Sequence, residues 1–174
     1  MKQKHLTGLL CGLFLLAFCV SCSSNPPSGP SASESGETLH IVATTYPVYL
    51  FATAVTEGVE GVEVTQLITD QISCLHDYTL TVTAMRAIET ADVIVMNGAG
   101  LEDFMDDALA ASDATVIDCS EGIDLLPARG HEGHDHDTEY DPHIWMDPWR
   151  AIQMIETIQT GLSQLDAAHS EAYL

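Results

Sequence analysis

The sequence predicts an α/β domain built on a four-stranded parallel sheet with flanking helices. From Leu39 onward, short apolar β-branched runs alternate with amphipathic stretches, as strands of a parallel sheet alternate with crossover helices. Gly58 and Asn97-Gly98 punctuate the runs where a helix or strand must stop. A chain of 174 residues also suits one hydrophobic core of ordinary size.

The elements follow in order. LHIVATT, from Leu39, is the first strand and leads into Pro47, after which Val48, Phe51, Ala52 and Val55 share one helical face until Gly58. A second strand is expected near Val62 to Ile68. The loop QISCLHDYT then carries His76 into a second helix with Val82, Met85 and Ile88 along one side. The third strand is Asp92 to Met96, and a third helix places Leu101, Phe104, Met105 and Ala108 inward. Met85, Phe104 and Met105 read as core. Thr115 to Asp118 form the fourth strand. Pro127 to Tyr140 contains HEGHDHD, lacks an apolar period and reads as a surface loop. Asp147 and Pro148 are an N-cap and first helical residue, and Ile152, Ile155, Ile158, Leu162 and Leu165 continue a helix expected to run almost to Leu174.

The amino terminus reads as an export signal over residues 1–21: basic Lys2 and Lys4, an apolar run from Leu9 to Val20, then small residues around Ser21 and Cys22. The run is too short to span a bilayer, which takes roughly 20 residues. Val20-Ser21-Cys22 resembles a bacterial lipobox, which implies that Cys22 carries lipid. Residues 22–38, rich in Ser, Pro and Gly, then form a flexible tether. This organisation predicts a body outside the cytoplasm, anchored to the cell membrane by acyl chains. Acidic residues number 26 against 5 basic, a formal charge of −21, which excludes a nucleic-acid partner by repulsion. Two readings of Cys74 and Cys119 stand: a disulfide, which an oxidising compartment permits, or two buried thiols.

Five histidines point to a metal: His76, His131, His134, His136 and His143. Imidazole is a borderline nitrogen donor that ligates in its neutral form, and it suits zinc. Ligands of open parallel sheets bind outside the carboxyl ends of the strands. His76 follows the second strand, and His143, flanked by Asp141-Pro142 and Trp145, follows the fourth, so both are candidate ligands at that edge. HEGHDHD can bind cations without a fold, making His131, His134 and His136 auxiliary candidates; a solvated charged loop is the plain alternative. Catalytic signatures are missing. His131 and His134 are spaced wrongly for HExxH, Asn97-Gly98-Ala99-Gly100 is not a phosphate loop, and no GxSxG elbow occurs.

The combination of lipobox cysteine, Ser/Pro tether, IVATTYPVY, histidine loop, ADVIVMNGAGLEDFM, His/Asp-rich insertion and DPHIWMDP resembles the metal-binding lipoproteins of ABC-type zinc and manganese importers. The resemblance implies a non-enzymatic solute-binding protein that captures a metal ion outside the membrane and delivers it to an ABC permease. It also implies an amino-terminal metal-binding lobe over 39–147, with its His-rich loop at 127–140, and a linker helix over 148–174. The second lobe, which supplies further ligands in that family, has no counterpart in this sequence. His76 and His143 map onto ligands of the first lobe. Where many members continue with Glu-Pro after the first histidine, this chain reads His76-Asp77-Tyr78-Thr79-Leu80. The His-rich insertion favours zinc, with manganese as the alternative. Two other functions compete: a zinc hydrolase using His76, His143 and a carboxylate, and a stand-alone metal buffer in which the loop does the binding.

Overall fold

The computed structural model describes residues 38–69, 75, 78–128 and 139–174. Four strands, β1 (Leu39–Ala43), β2 (Val62–Gln66), β3 (Val93–Met96) and β4 (Thr115–Asp118), form one sheet in the order β2-β1-β3-β4. Every neighbouring pair is parallel, with Ile41 opposite Val64 on one side and Val93 on the other. The expected sheet is therefore present, and strand β4 has the residues expected of it. Four α-helices accompany the strands: α1 (Tyr46–Val55), α2 (Val82–Glu89), α3 (Asp106–Ala110) and α4 (Pro148–Leu165).

Alternation along the strands divides the core into two. Ile41, Ala43, Val93, Val95 and Ile117 point to the face covered by Val48, Ala52 and Val55 of α1 and by Met154, Ile158 and Leu162 of α4. Val42 and Ile94 point the other way, against Ala84 and Ile88 of α2 and Met105 and Ala108 at α3. Strands buried on both faces need apolar residues at successive positions, which is why β3 reads VIVM. Helix starts are chemically marked: Thr81 Oγ1 accepts from the Ala84 amide at 3.1 Å, and Asp147 Oδ1 accepts from the Trp149 amide at 2.8 Å. Among the described residues, no helix is long and apolar enough to cross a membrane.

Four expectations are corrected. Strand β2 ends at Gln66, although Leu67 and Ile68 beyond it are buried. The inward stripe is Ala84 and Ile88 of α2, with Leu80 four residues earlier, before the helix begins, packed against them, so Val82 and Met85 are 72% and 48% exposed and Met85 is not core. The third helical segment breaks into a 3-10 turn, Asp103–Met105, followed by the short α3; Leu101, Met105 and Ala108 are buried as expected, and Phe104 packs edge-on against Tyr78, ring centroids 5.3 Å apart.

The last correction concerns α4, which stops at Leu165 instead of continuing towards Leu174. Asp166 Oδ2 accepts the Tyr173 hydroxyl and pairs with the His169 ring, each at 2.7 Å, which turns the chain back and seats the Tyr173 ring in the core. Helix propensity loses to burial of one large aromatic. Inward residues of α4 are Met154, Ile158 and Leu162, so Ile152 and Leu165 lie exposed. Cys119 is a buried free thiol, pushed well above the ordinary thiol range by desolvation; Cys74 lies outside the described residues.

Gly98 takes φ +78° and a Cβ there would collide with the Asp118 carboxylate and the Ser120 hydroxyl, whereas Gly58, at φ +80°, faces open space. Gly58→Ala should therefore cost only the backbone strain, about 1 kcal/mol. Gly98→Ala should cost at least twice as much, and urea unfolding of the two variants measures the difference.

Candidate metal site at the carboxyl edge of the sheet

Because the strands run in one direction, the chain leaves all of them at one edge, at Thr44, Leu67, Asn97 and Cys119. The succession of strands reverses between β1 and β3, which opens a crevice there. After β4 the chain returns to this edge through a short antiparallel bridge, Pro127 with Tyr140. The Ala128 amide donates to the Glu139 carbonyl at 3.0 Å and the Asp141 amide to the Leu126 carbonyl at 2.8 Å. These bonds close the base of the His-rich loop and fix where Asp141-Pro142-His143 begins. On its far side His143 is held by buried Ile144, in the 3-10 turn Ile144–Met146, and by the capped start of α4. Arg150 ties that start down, donating to Asp147 Oδ2 at 2.9 Å and to the Asp124 carbonyl at 3.1 and 3.0 Å.

The His143 ring is exposed but oriented. Its Nδ1 lies 2.7 Å from Asp141 Oδ1, which also accepts the His143 amide at 3.0 Å. Those two bonds, the amide first, hold the Asp141 carboxyl below its ordinary range, so it is an ionised, acceptor-only group. In the neutral ring the proton of that contact sits on Nδ1, which leaves the lone pair on Nε2. Trp145, with its ring centroid 5.2 Å away at 50°, restrains the imidazole further. A carboxylate behind one ring nitrogen and a free lone pair on the other is how proteins present histidine to a metal.

A second carboxylate lies deeper, at the crevice itself. Glu102 is 1% exposed. Its Oε1 accepts from the Thr44 hydroxyl at 2.6 Å and from the Asn97 amide at 2.8 Å, and its Oε2 from the Gly98 amide at 3.0 Å. Positive φ at Gly98, Ala99 and Gly100 (78°, 55° and 79°) curls the turn so that these donors converge. Burial raises the Glu102 pKa to about 7, and the three hydrogen bonds oppose the rise. Asn97, fully buried, donates its side-chain amide to the Gly98 carbonyl at 2.9 Å and to the Pro142 carbonyl at 3.0 Å. Among the described residues, the buried oxygens Thr45 Oγ1 and Asn97 Oδ1 have no hydrogen-bond partner.

Of the sequence-derived candidates, only His143 stands in the described region. His76, His131, His134, His136 and Cys22 lie outside it, so their meeting with His143 is not part of this geometry. Among the described residues, no three His, Cys, Asp or Glu side chains form a metal-holding group. Sequence reasoning passed over Glu102 and Asn97. Their signal was present: an acidic residue within NGAGLEDFM, where its neighbour Leu101 points inward, and an asparagine ending a wholly apolar strand.

A parallel α/β lobe with one crevice edge is the architecture of a solute-binding protein's lobe. The Zn(II)-bound AdcA structure from Streptococcus pneumoniae is similar over 78% of this chain and 28% of that one, with TM-score 0.65 and 30% identity. The family model described as zinc-uptake complex component A, periplasmic, matches residues 41–174, and the chain belongs to that family. It is 32% identical over 174 residues to the zinc-binding lipoprotein AdcA of Streptococcus pneumoniae, covering 93% of this chain and 32% of AdcA. To the high-affinity zinc uptake system protein ZnuA of Bacillus subtilis it is 30% identical over 180 residues, covering 93% and 54%. The manganese-binding lipoprotein MntA of Halalkalibacterium halodurans is 31% identical over 100 residues, covering 57% and 31%. The chain thus spans between about a third and about half of these relatives' length. The family is one of binding proteins, not enzymes, which sets the hydrolase reading aside.

The Glu102 pKa, raised from 4.5 to about 7, gives a stability contribution that is whole below pH 4.5 and lost as pH rises through about 7. Between pH 4.5 and pH 8 the stability difference between wild type and Glu102→Gln should move in the variant's favour by on the order of 3 kcal/mol. Urea unfolding of both proteins at the two pH values reads that shift, and a pH-independent difference would contradict it.

Proposed function

We propose that the chain is the metal-capturing part of an extracytoplasmic zinc-binding lipoprotein that supplies zinc to an ABC importer in the cell membrane. The observation that carries this reading is the Asp141-His143 pair at the carboxyl edge, with Nδ1 2.7 Å from the carboxylate, in a chain of the zinc-uptake family. Its relatives AdcA and ZnuA are named for zinc binding and zinc uptake. In this reading His143 and His76 ligate the ion. His131, His134 and His136 gather zinc near the site, and the acidic surface raises the local cation concentration until salt screens it. Cys22 carries the lipid anchor, consistent with the lipoprotein names of the relatives.

Manganese is the second reading, favoured by the MntA relative. Zinc stands ahead of it because a histidine pair suits zinc, whereas carboxylate and carbonyl oxygens suit manganese. Two imidazoles completed by water hold zinc weakly compared with a full set of protein ligands. Uptake weakens in acid, because a protonated imidazole cannot ligate.

Calorimetric zinc titration tests the reading with three variants. His143→Ala should abolish binding outside the His-rich loop, and Asp141→Asn should weaken it roughly tenfold by loosening the ring. Deleting residues 131–137 should leave the His143 site intact. If that deletion removes all uptake, the chain is a loop-based metal buffer and the importer reading fails.

A further inference from the structure

The buried polar groups beneath His143 form a continuous chain of contacts that metal ligation alone does not call for. We propose that Glu102 and Asn97 are positioning residues for the metal site: together they fix the carbonyl of Pro142 and so aim the ring of His143. This inference rests on the reading of His143 as a ligand.

The geometry runs in three steps. Glu102 joins the ends of the two central strands, taking the Thr44 hydroxyl after β1 and the Asn97 and Gly98 amides after β3. Those bonds fix the peptide that carries the Asn97 side chain. Asn97 then donates both hydrogens of its amide to carbonyls, Gly98 at 2.9 Å and Pro142 at 3.0 Å. Two carbonyl partners settle which end of the amide is nitrogen, because an oxygen in that place would face two other oxygens. Among the described residues, Asn97 Oδ1 is left without a hydrogen-bond partner. Pro142 is the residue before His143 and the residue after Asp141, so its peptide links the ring to the residue whose carboxylate orients it.

The Pro142 carbonyl also accepts the Ile144 amide at 2.8 Å, within its own turn; the Asn97 amide is the contact that ties it to the end of β3. The loop bridge at Pro127 and Tyr140 holds Asp141 from one side, and Ile144 anchors the turn from the other. Asn97 supplies the third point, across 45 residues of sequence.

The test uses Asn97→Ala, which cuts the link to Pro142, and the size-matched Glu102→Gln, which leaves Asn97 in place but sets an amide hydrogen against the Gly98 amide. In the metal-free proteins, nitrogen-15 NMR of the His143 ring should show the Nδ1-H form dominating in wild type and losing population in both variants. An unchanged His143 spectrum in a folded variant would overturn the relay. This measurement needs no metal, so it stands even if zinc uptake itself proves absent. With zinc, Asn97→Ala should weaken binding by about tenfold. That loss should shrink in an Asp141→Asn background, which still binds zinc but whose ring is already loose, while the loss of thermal stability persists in both backgrounds. An equal affinity loss in the two backgrounds would mean that Asn97 acts on the fold as a whole and not through His143.

Discussion

All four strands of the sheet point the same way, and most of what the molecule can do follows from that constraint. A parallel sheet needs a crossover between successive strands, and helices cover both faces, the crossover α1 and the following α4 on one side and the crossovers α2 and α3 on the other. Functional side chains are thereby driven to the ends of the strands. The reversal of strand succession between β1 and β3 opens the carboxyl edge at its middle, and the loop bearing His143 returns to that edge from β4.

Opening an edge at the centre of a sheet leaves strand-end amides without ladder partners. Here they are satisfied by a carboxylate: Glu102 takes amides from Asn97 and Gly98 and the hydroxyl of Thr44. Placing a carboxyl in that position is costly, as its raised pKa records, and the three hydrogen bonds offset part of the cost. Asp141 solves a different problem in a wetter place. It stays ionised at the surface and confers direction on an otherwise free imidazole. The two carboxylates thus divide the work, one organising backbone and the other a ring.

Much of this fold was legible because its signals are local. β4 was readable from four residues, TVID, with β-branched residues at three of them, and the start of α4 from Asp147-Pro148, an acceptor followed by a residue that needs no donor. Where reading failed, a distant partner decided the outcome. Met85 fitted a helical face, but Leu80, Ala84 and Ile88 formed the stripe that the sheet could accept. The end of α4 depended on Tyr173 finding a place in the core and on Asp166 accepting its hydroxyl, neither of which the helical pattern encodes. At the site, His143 stood out by chemistry and by motif. Glu102 did not, because its importance comes from three donors that meet only after β1 and β3 are side by side.

Metal capture at this edge is tested most directly by anomalous diffraction at the zinc edge from crystals of the zinc-loaded chain. The predicted result is a zinc peak roughly 2.0–2.1 Å from Nε2 of His143, with Nδ1 still bonded to Asp141. Zinc bound only by the His-rich loop, or coordinated through Nδ1 with the Asp141 contact broken, would contradict the account.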